Sequence, residues 1–462
     1  MESDCWARPM KTPLTPILCV AMVLPSLAAT EPRREWIDPD TGHRIVRLSD
    51  EPGTASLYFN QNAYSPDGKK IIVTTHHGIS TIELATRKIE PVVEGDVRVI
   101  VAGRRSGDVY YSKMEEGKNW IFATNLETKA TRRIAVLPHG GVATVNADET
   151  LMAGAFSESD DPGWQRGEAP VKAAKNAGPD MGNPAASQPT AGGAKATFQA
   201  EYTANRSDGT PMVFAAAKEY RLHEQLMRVR AEPPRSLFTL SIATGEIKVI
   251  HQEREWLNHV QFSPTDPNLI MFCHEGPWHE VTRLWTIRTD GTGLTQIHTR
   301  TMNMEIWGHE FFSADGKTLW YDLQRPRGEV FWLAGYEVGT GRRTWYALER
   351  NEWSVHFNVS LDGTMFAGDG GDSQMVAHAP DGKWIYVFHP RGIPDVAGIK
   401  APNSESLIHA GRFVSERLVN MSRHNYKLEP NVTFSPDQKW IIFRSNMDGA
   451  TQVYAVEIAK AK

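Results

Sequence analysis

One short turn recurs along this chain, and it limits the possible folds more than any other feature. It reads Ser65-Pro66-Asp67-Gly68 before KKIIVTT, and in weaker form Arg105-Ser106-Gly107-Asp108 before VYYSK and Asn146-Ala147-Asp148-Glu149 before TLMAGAF. It returns as Ser263-Pro264-Thr265-Asp266, Ser313-Ala314-Asp315-Gly316, Ser360-Leu361-Asp362-Gly363 and Ser435-Pro436-Asp437-Gln438. Each copy has the chemistry of a tight turn: Pro presets φ, Asp caps the turn, and Gly accepts positive φ. A strand rich in Ile, Val, Trp and Tyr follows. Copies roughly 40–50 residues apart are the signature of four-stranded units arranged around an axis. The spacing predicts an all-β chain, a seven-bladed β-propeller, in preference to an array of β-sandwiches. A second set of phrases, such as Ala85-Thr86-Arg87-Lys88, Leu126-Glu127-Thr128-Lys129, Ala243-Thr244-Gly245-Glu246 and Val338-Gly339-Thr340-Gly341, marks hairpins between the outer strands of these units.

The repeat is interrupted between positions 146 and 263. Asp160–Thr203 is rich in Pro, Ala and Gly and poor in large apolar residues, as in a flexible loop. Pro211–Ala231 has helical spacing and strong helix formers. Residues 159–232 therefore read as a flexible and helical insertion in a propeller domain spanning 31–462. Residues 1–28 read as a signal peptide: Arg8 and Lys11, an apolar Pro13–Leu24, then Ser26-Leu27-Ala28. The apolar run is too short to span a bilayer, and no later segment is long enough. Export to the periplasm or the exterior is the expectation, with Cys273 the one cysteine of the three left in the mature chain and no internal disulfide. A net charge of -5 without a basic stripe gives no case for nucleic acid. Most of the fourteen tryptophans are expected in β cores, although tryptophan also stacks on sugars.

Polar side chains gather just before the turns. His309, His356, Glu429 and Asn431 lie four to six residues before the turns at 313, 360 and 435. Equivalent positions in successive blades face one end of the channel, so these four are a candidate set of N and O ligands for a divalent ion such as Mn²⁺ or Ca²⁺. The alternative is that each only bonds loop backbone near the axis. Gly368-Asp369-Gly370-Gly371-Asp372 lacks the context of a nucleotide loop or the spacing of an EF-hand and reads as a tight channel-side turn. No G-x-S-x-G occurs, which argues against a serine peptidase carried on a propeller.

The block Phe272–Pro277 (FCHEGP), followed about one repeat later by His309–Phe311 (HEF), resembles the oligogalacturonate lyases, a pectin-degrading family. The resemblance implies a lyase that cleaves short acidic oligosaccharides by β-elimination, with Mn²⁺ favoured as cofactor. It implies that His309 is a manganese ligand and His259 the base. It also implies that Arg235 (Pro233-Pro234-Arg235) meets a substrate carboxylate and that Gln61 is a first-blade substrate position. His274, beside Glu275, is read as shaping the substrate site or pairing internally. The family's Gln-x-x-His-x-His before the last turn is here Tyr426, Glu429 and Asn431, which implies a more oxygen-rich site in which His424 or His356 completes the set. The competing expectation is a non-catalytic, TolB-like propeller that binds sugar or a partner protein.

Overall fold

The computed structural model describes residues 34–160, 204–205, 211–212, 216–372, 375–377, 379–394 and 396–461. Their architecture is all-β and propeller-like, a succession of small antiparallel sheets taken up in chain order. Four are four-stranded: one beginning at Ala55–Ser56, one at Arg98–Ala102, one at Gly141–Val145 and one at Trp256–Phe262. An eight-stranded sheet holds two further four-strand sets, Ile306–Phe312 to Arg343–Leu348 and Phe357–Val359 to His409–Asn420. They are joined where His409–Arg412 runs parallel to Thr344–Ala347. A five-stranded sheet pairs His43–Arg47 with Gln452–Lys460, so early and late segments close on each other.

The repeated turn does what its chemistry predicts. Ser65, Ser313, Ser360 and Ser435 each donate to the Asp two residues on, at 2.5–2.7 Å. Gly68, Gly316 and Gly363 take φ near +70°. Glu149 and Gln438 adopt positive φ without being glycine, at about 1–2 kcal/mol each. The outer hairpins behave likewise, with Arg87 and Lys129 left-handed where Gly245 stands in a sister phrase.

The sheets pack face to face through strands buried on both sides. Leu269–Glu275 has six consecutive buried residues, and Ile71, Ile72 and Val73 are fully buried. Each such side chain contributes about 1.5–3 kcal/mol. One cluster joins Phe311, Trp320, Phe357 and Phe388 of the eight-stranded sheet with Phe59 from the loop after Ala55–Ser56, so this wall is aromatic.

The signal-peptide region and residues 161–203 lie outside the described residues. Within the expected insertion, Ala216–Ala231 is helical, beginning five residues later than expected because Pro211–Met212 pairs with Ala204–Asn205 as a short ladder. The helix (α1) packs Leu226 and Val229 onto Trp256 and Val281. Asp160, expected at the edge of a flexible loop, is instead buried against Arg235.

Candidate active site

The first strand of several sheets carries a register shift just ahead of the turn: between Val99 and Val101, Val142 and Thr144, Asn258 and Gln261, and Gly308 and Phe311. A bulge inserts an extra residue and re-aims a side chain. His259 and His309 fall inside two of these shifts, with φ of +49° and +47°, and Asn431 has +53° at the corresponding place. Left-handed backbone at non-glycine residues is costly and concentrates where function needs a side chain held in place.

Two neighbouring histidine clusters result. In the first, the rings of His309 and His356 lie 4.8 Å apart, edge to face. His309 Nδ1 is 3.3 Å from Asp322 and His356 Nδ1 is 2.8 Å from Asp369. Both aspartates are buried, and Asp322 Oδ1 has no hydrogen-bond partner among the described residues. A carboxylate on Nδ1 fixes the tautomer and orients Nε2 outward, the usual support of a metal-binding imidazole. His356 Nε2 lies 3.7 Å from Glu429 and 3.2 Å from the Tyr58 hydroxyl. His309, His356 and Glu429 are thus brought together. Asn431 sits beside them, but its Oδ1 accepts from Phe59 N–H at 3.3 Å and its Nδ2 donates to the Glu429 carbonyl at 3.1 Å. These are the loop-backbone bonds that the alternative expectation assigns to this residue.

In the second cluster, His259 Nδ1 is 3.4 Å from Glu310 and Nε2 is 3.7 Å from Glu275. Fully buried Arg283 spans both carboxylates, at 3.0 Å to Glu310 and 2.8 Å to Glu275, and reaches Cys273 Sγ at 3.6 Å. Burial by itself lowers the His259 pKa, but Glu310 and then Glu275 outweigh it and hold the imidazole above 6.5. Burial raises the carboxylates, and Arg283 with His259 outweighs that, so Glu275 and Glu310 stay below their ordinary range. Burial pushes the Cys273 thiol well up. His259, Cys273 and Glu275 have donor atoms within 4.8 Å of one another. The Arg283 guanidinium already brings a positive charge to that group, so we assign it no ion. Trp278 links the clusters, its ring 5.0 Å from His309 and 4.6 Å from Arg283.

His274 takes the second of its two expected roles, an internal pair, and the polar groups of Arg235 and Gln61 are engaged within the protein. The strand alternates faces, so Cys273 and Glu275 meet His259 while His274 points away, to Glu253 at 2.7 Å and to the Trp285 ring at 5.2 Å. Arg235 is buried, with its fork engaged by Asp160 at 2.6 and 3.3 Å. Gln61 lines the same cavity as His259, yet its amide accepts from Tyr58 N–H and donates to the Ile100 carbonyl. His424 does not complete the ligand set either. It bonds Ser445 and the Leu428 carbonyl, and burial pulls its pKa down to about 4. Tyr426 donates to the Asp369 carbonyl and so supports the histidine cluster from behind.

Asp322, Asp369, Glu310 and Arg283 were not anticipated. A signal for the first two existed: each aspartate follows its histidine by thirteen residues.

Comparisons with known proteins bear on the family and the fold. The profile of the oligogalacturonate lyase family matches residues 218–462. An oligogalacturonide lyase of Pectobacterium atrosepticum is 26% identical over 239 residues, 48% of this chain and 55% of that protein. An oligogalacturonate lyase of Dickeya dadantii is 25% identical over the same extent. The chain therefore spans about half the length of the curated relatives it matches. Among solved structures, an oligogalacturonate lyase in complex with manganese superposes with a TM-score of 0.63 at 20% identity, over 92% of this chain and 96% of that one. The oligogalacturonate lyase of Vibrio parahaemolyticus does so at 0.60 and 19% identity, over 92% of this chain and 96% of that one. These two establish a shared fold, and with more than half of its residues matched by the family profile, this chain belongs to the oligogalacturonate lyase family.

Proposed function

We propose that the protein is a lyase that cleaves short oligogalacturonates by β-elimination with a divalent metal, Mn²⁺ by preference, in the breakdown of pectin. The observation that carries this reading is the pair His309 and His356, each with Nδ1 held by a buried aspartate, beside Glu429. That donor set fits a divalent ion, and the related lyase structure contains manganese. His309, His356 and Glu429 would hold it, and when bound it supplies positive charge to the uronate carboxylate.

The rest of the reaction falls to this chain's own groups. Elimination across C4–C5 needs a base for the C5 proton and a departing C4 oxygen. Glu310 facing Nδ1 favours the proton on that nitrogen, which leaves Nε2 of His259 to accept the one from C5. Trp278, between the clusters, offers an aromatic face at the same place. Arg283 keeps both carboxylates ionised, and they hold His259 basic against the opposing charge of Arg283 itself.

We further propose seven blades. The four four-stranded sheets, the two sets in the eight-stranded sheet and the closing sheet support that number. Export through the N-terminal signal region, and residues 159–232 as an insertion outside the blades, belong to the same proposal. The test is the ultraviolet absorbance of unsaturated uronate on incubation with oligogalacturonate, before and after chelation. The reading requires product, its loss on chelation and its return with Mn²⁺. Absence of product from metal-replete protein across acidic oligosaccharides would reject it.

A further inference from the structure

A polyanionic ligand needs a free cation where it binds, and Arg235 is not free. The central cavity contains another arginine. It is lined by the ends of the first strands, and His259, Gln61, Thr144 and Gln261 face it together with Arg104. An adjoining cavity, lined by Asn358 and Thr433 among others, shares Arg104 and Asn60 with the first. Arg104 is the one arginine or lysine in either lining. It sits in the turn itself, directly after Gly103, whose N–H bonds the Asp108 carbonyl as that of Ser65 bonds Lys70 and that of Asn146 bonds Leu151; other units carry Pro66, Ala147, Pro264, Ala314, Leu361 and Pro436 there. A cation at this position belongs to one unit and is not a product of the repeat.

Arg104 makes no ion pair or hydrogen bond among the described residues and retains exposed surface. The one carboxylate in the lining, Glu149, is taken up by the N–H groups of Arg105 and Ser106 and by the Tyr110 hydroxyl. Asn60, in both linings, has no hydrogen-bond partner for its amide among the described residues. A guanidinium that is open to solvent at a cavity and has no acidic partner among the described residues is available to an arriving anion. A guanidinium presents a planar fork that matches a carboxylate.

We propose that Arg104, with Asn60, forms a carboxylate-binding subsite in the central cavity, taking the acid group of a uronic acid residue of the oligosaccharide. This rests on the lyase reading for its ligand. Arg104 lies before the residues that the family profile matches, so the subsite belongs to a part of the chain the profile does not describe.

The test uses the full chain. Trigalacturonate is titrated by calorimetry into His259→Ala protein, where turnover is strongly slowed, and into the same protein with Arg104→Ala added. Loss of a charge-assisted pair should weaken binding roughly 10- to 100-fold. Arg104→Lys should recover part of the loss, and fully methyl-esterified trimer should bind both proteins alike. Equal affinity for the acidic trimer with and without Arg104 would overturn the subsite. So would complete displacement of the trimer by equimolar acetate, which would show that the sugar contributes nothing. Binding is read without catalysis, so a protein that binds through Arg104 but yields no unsaturated product refutes the lyase reading alone. A protein that yields product yet is indifferent to Arg104 refutes the subsite alone.

Discussion

His259 and His309 occupy the same place in successive units, four residues before the turn serine, with nearly the same left-handed φ. Their surroundings differ. Thirteen residues after His309 the second strand returns Asp322 to its ring, as Asp369 returns to His356. The residue at the corresponding register position beside His259 is Cys273, paired with Asn258 as Asp322 is with Gly308, and it offers a thiol in place of the carboxylate. His259 takes its Nδ1 neighbour from the next unit instead, from Glu310, and shares it with Arg283. The repeat sets where a histidine stands, and the following strand sets its chemistry. An aspartate held close to Nδ1 suits a ligand. A clamp of two carboxylates and a guanidinium suits a proton acceptor.

The largest expected effect comes from deleting the acceptor. His259→Ala should lower turnover roughly 10²–10⁴-fold with the circular dichroism spectrum unchanged. Manganese binding, measured by calorimetry, should persist in that variant. Loss of metal from it would merge the two clusters into one site and dissolve the comparison.

Breaking the other side should have the opposite signature. Asp322→Asn and Asp369→Asn should each weaken metal affinity roughly 10- to 100-fold, and saturating Mn²⁺ should restore most activity. If the asparagine variants bind metal as tightly as the parent, His309 and His356 are not its ligands.

A smaller effect is expected in the pH profile. The base must be neutral to accept a proton, and His259 is held above 6.5, so the acid limb of kcat/KM should lie above that pH. Glu310→Gln removes the charge facing Nδ1, and the limb should move to lower pH. The raised pKa also contributes stability that is present below 6.5 and lost as pH rises through the folded value. The Glu310→Gln protein should therefore show a flatter melting temperature across that window. An unmoved limb would remove Glu310 from the tuning of the base.

The regular spacing made the architecture readable: turn chemistry and interval together pointed to four-stranded units, and the grouping of His309, His356 and Glu429 followed from their place in the repeat. What escaped was set across strands or across units. Asp322 and Asp369 act through antiparallel pairing, and their matching offsets become meaningful only once the second strand is seen to return to the first. Arg283 and Glu310 meet His259 from a separate loop and the next unit. Asn431 holds the right position, but the amide is drawn to Phe59 N–H by a neighbouring segment more than three hundred residues away in sequence. Asp160 looked like part of a polar loop, and its burial against Arg235 depends on a partner seventy-five residues away in sequence.

The smallest effect tests face alternation itself. His274 lies between Cys273 and Glu275, both beside His259, and sequence proximity alone would place all three in the site. A strand turns successive side chains to opposite faces, so His274 meets Glu253 and stacks toward Trp285, with its ring largely covered. Its carboxylate partner is half-buried and is held below its ordinary pKa: burial raises it, and the contacts with His274 and then His251 more than reverse that. His274→Ala should therefore cost stability, about 1–3 kcal/mol, because Glu253 is left without that partner. Turnover and KM for oligogalacturonate should remain close to the parent values below the melting transition. Adding Glu253→Gln should recover part of the lost stability by removing the stranded charge, whereas a substrate-binding His274 would show a raised KM that the second substitution leaves unchanged.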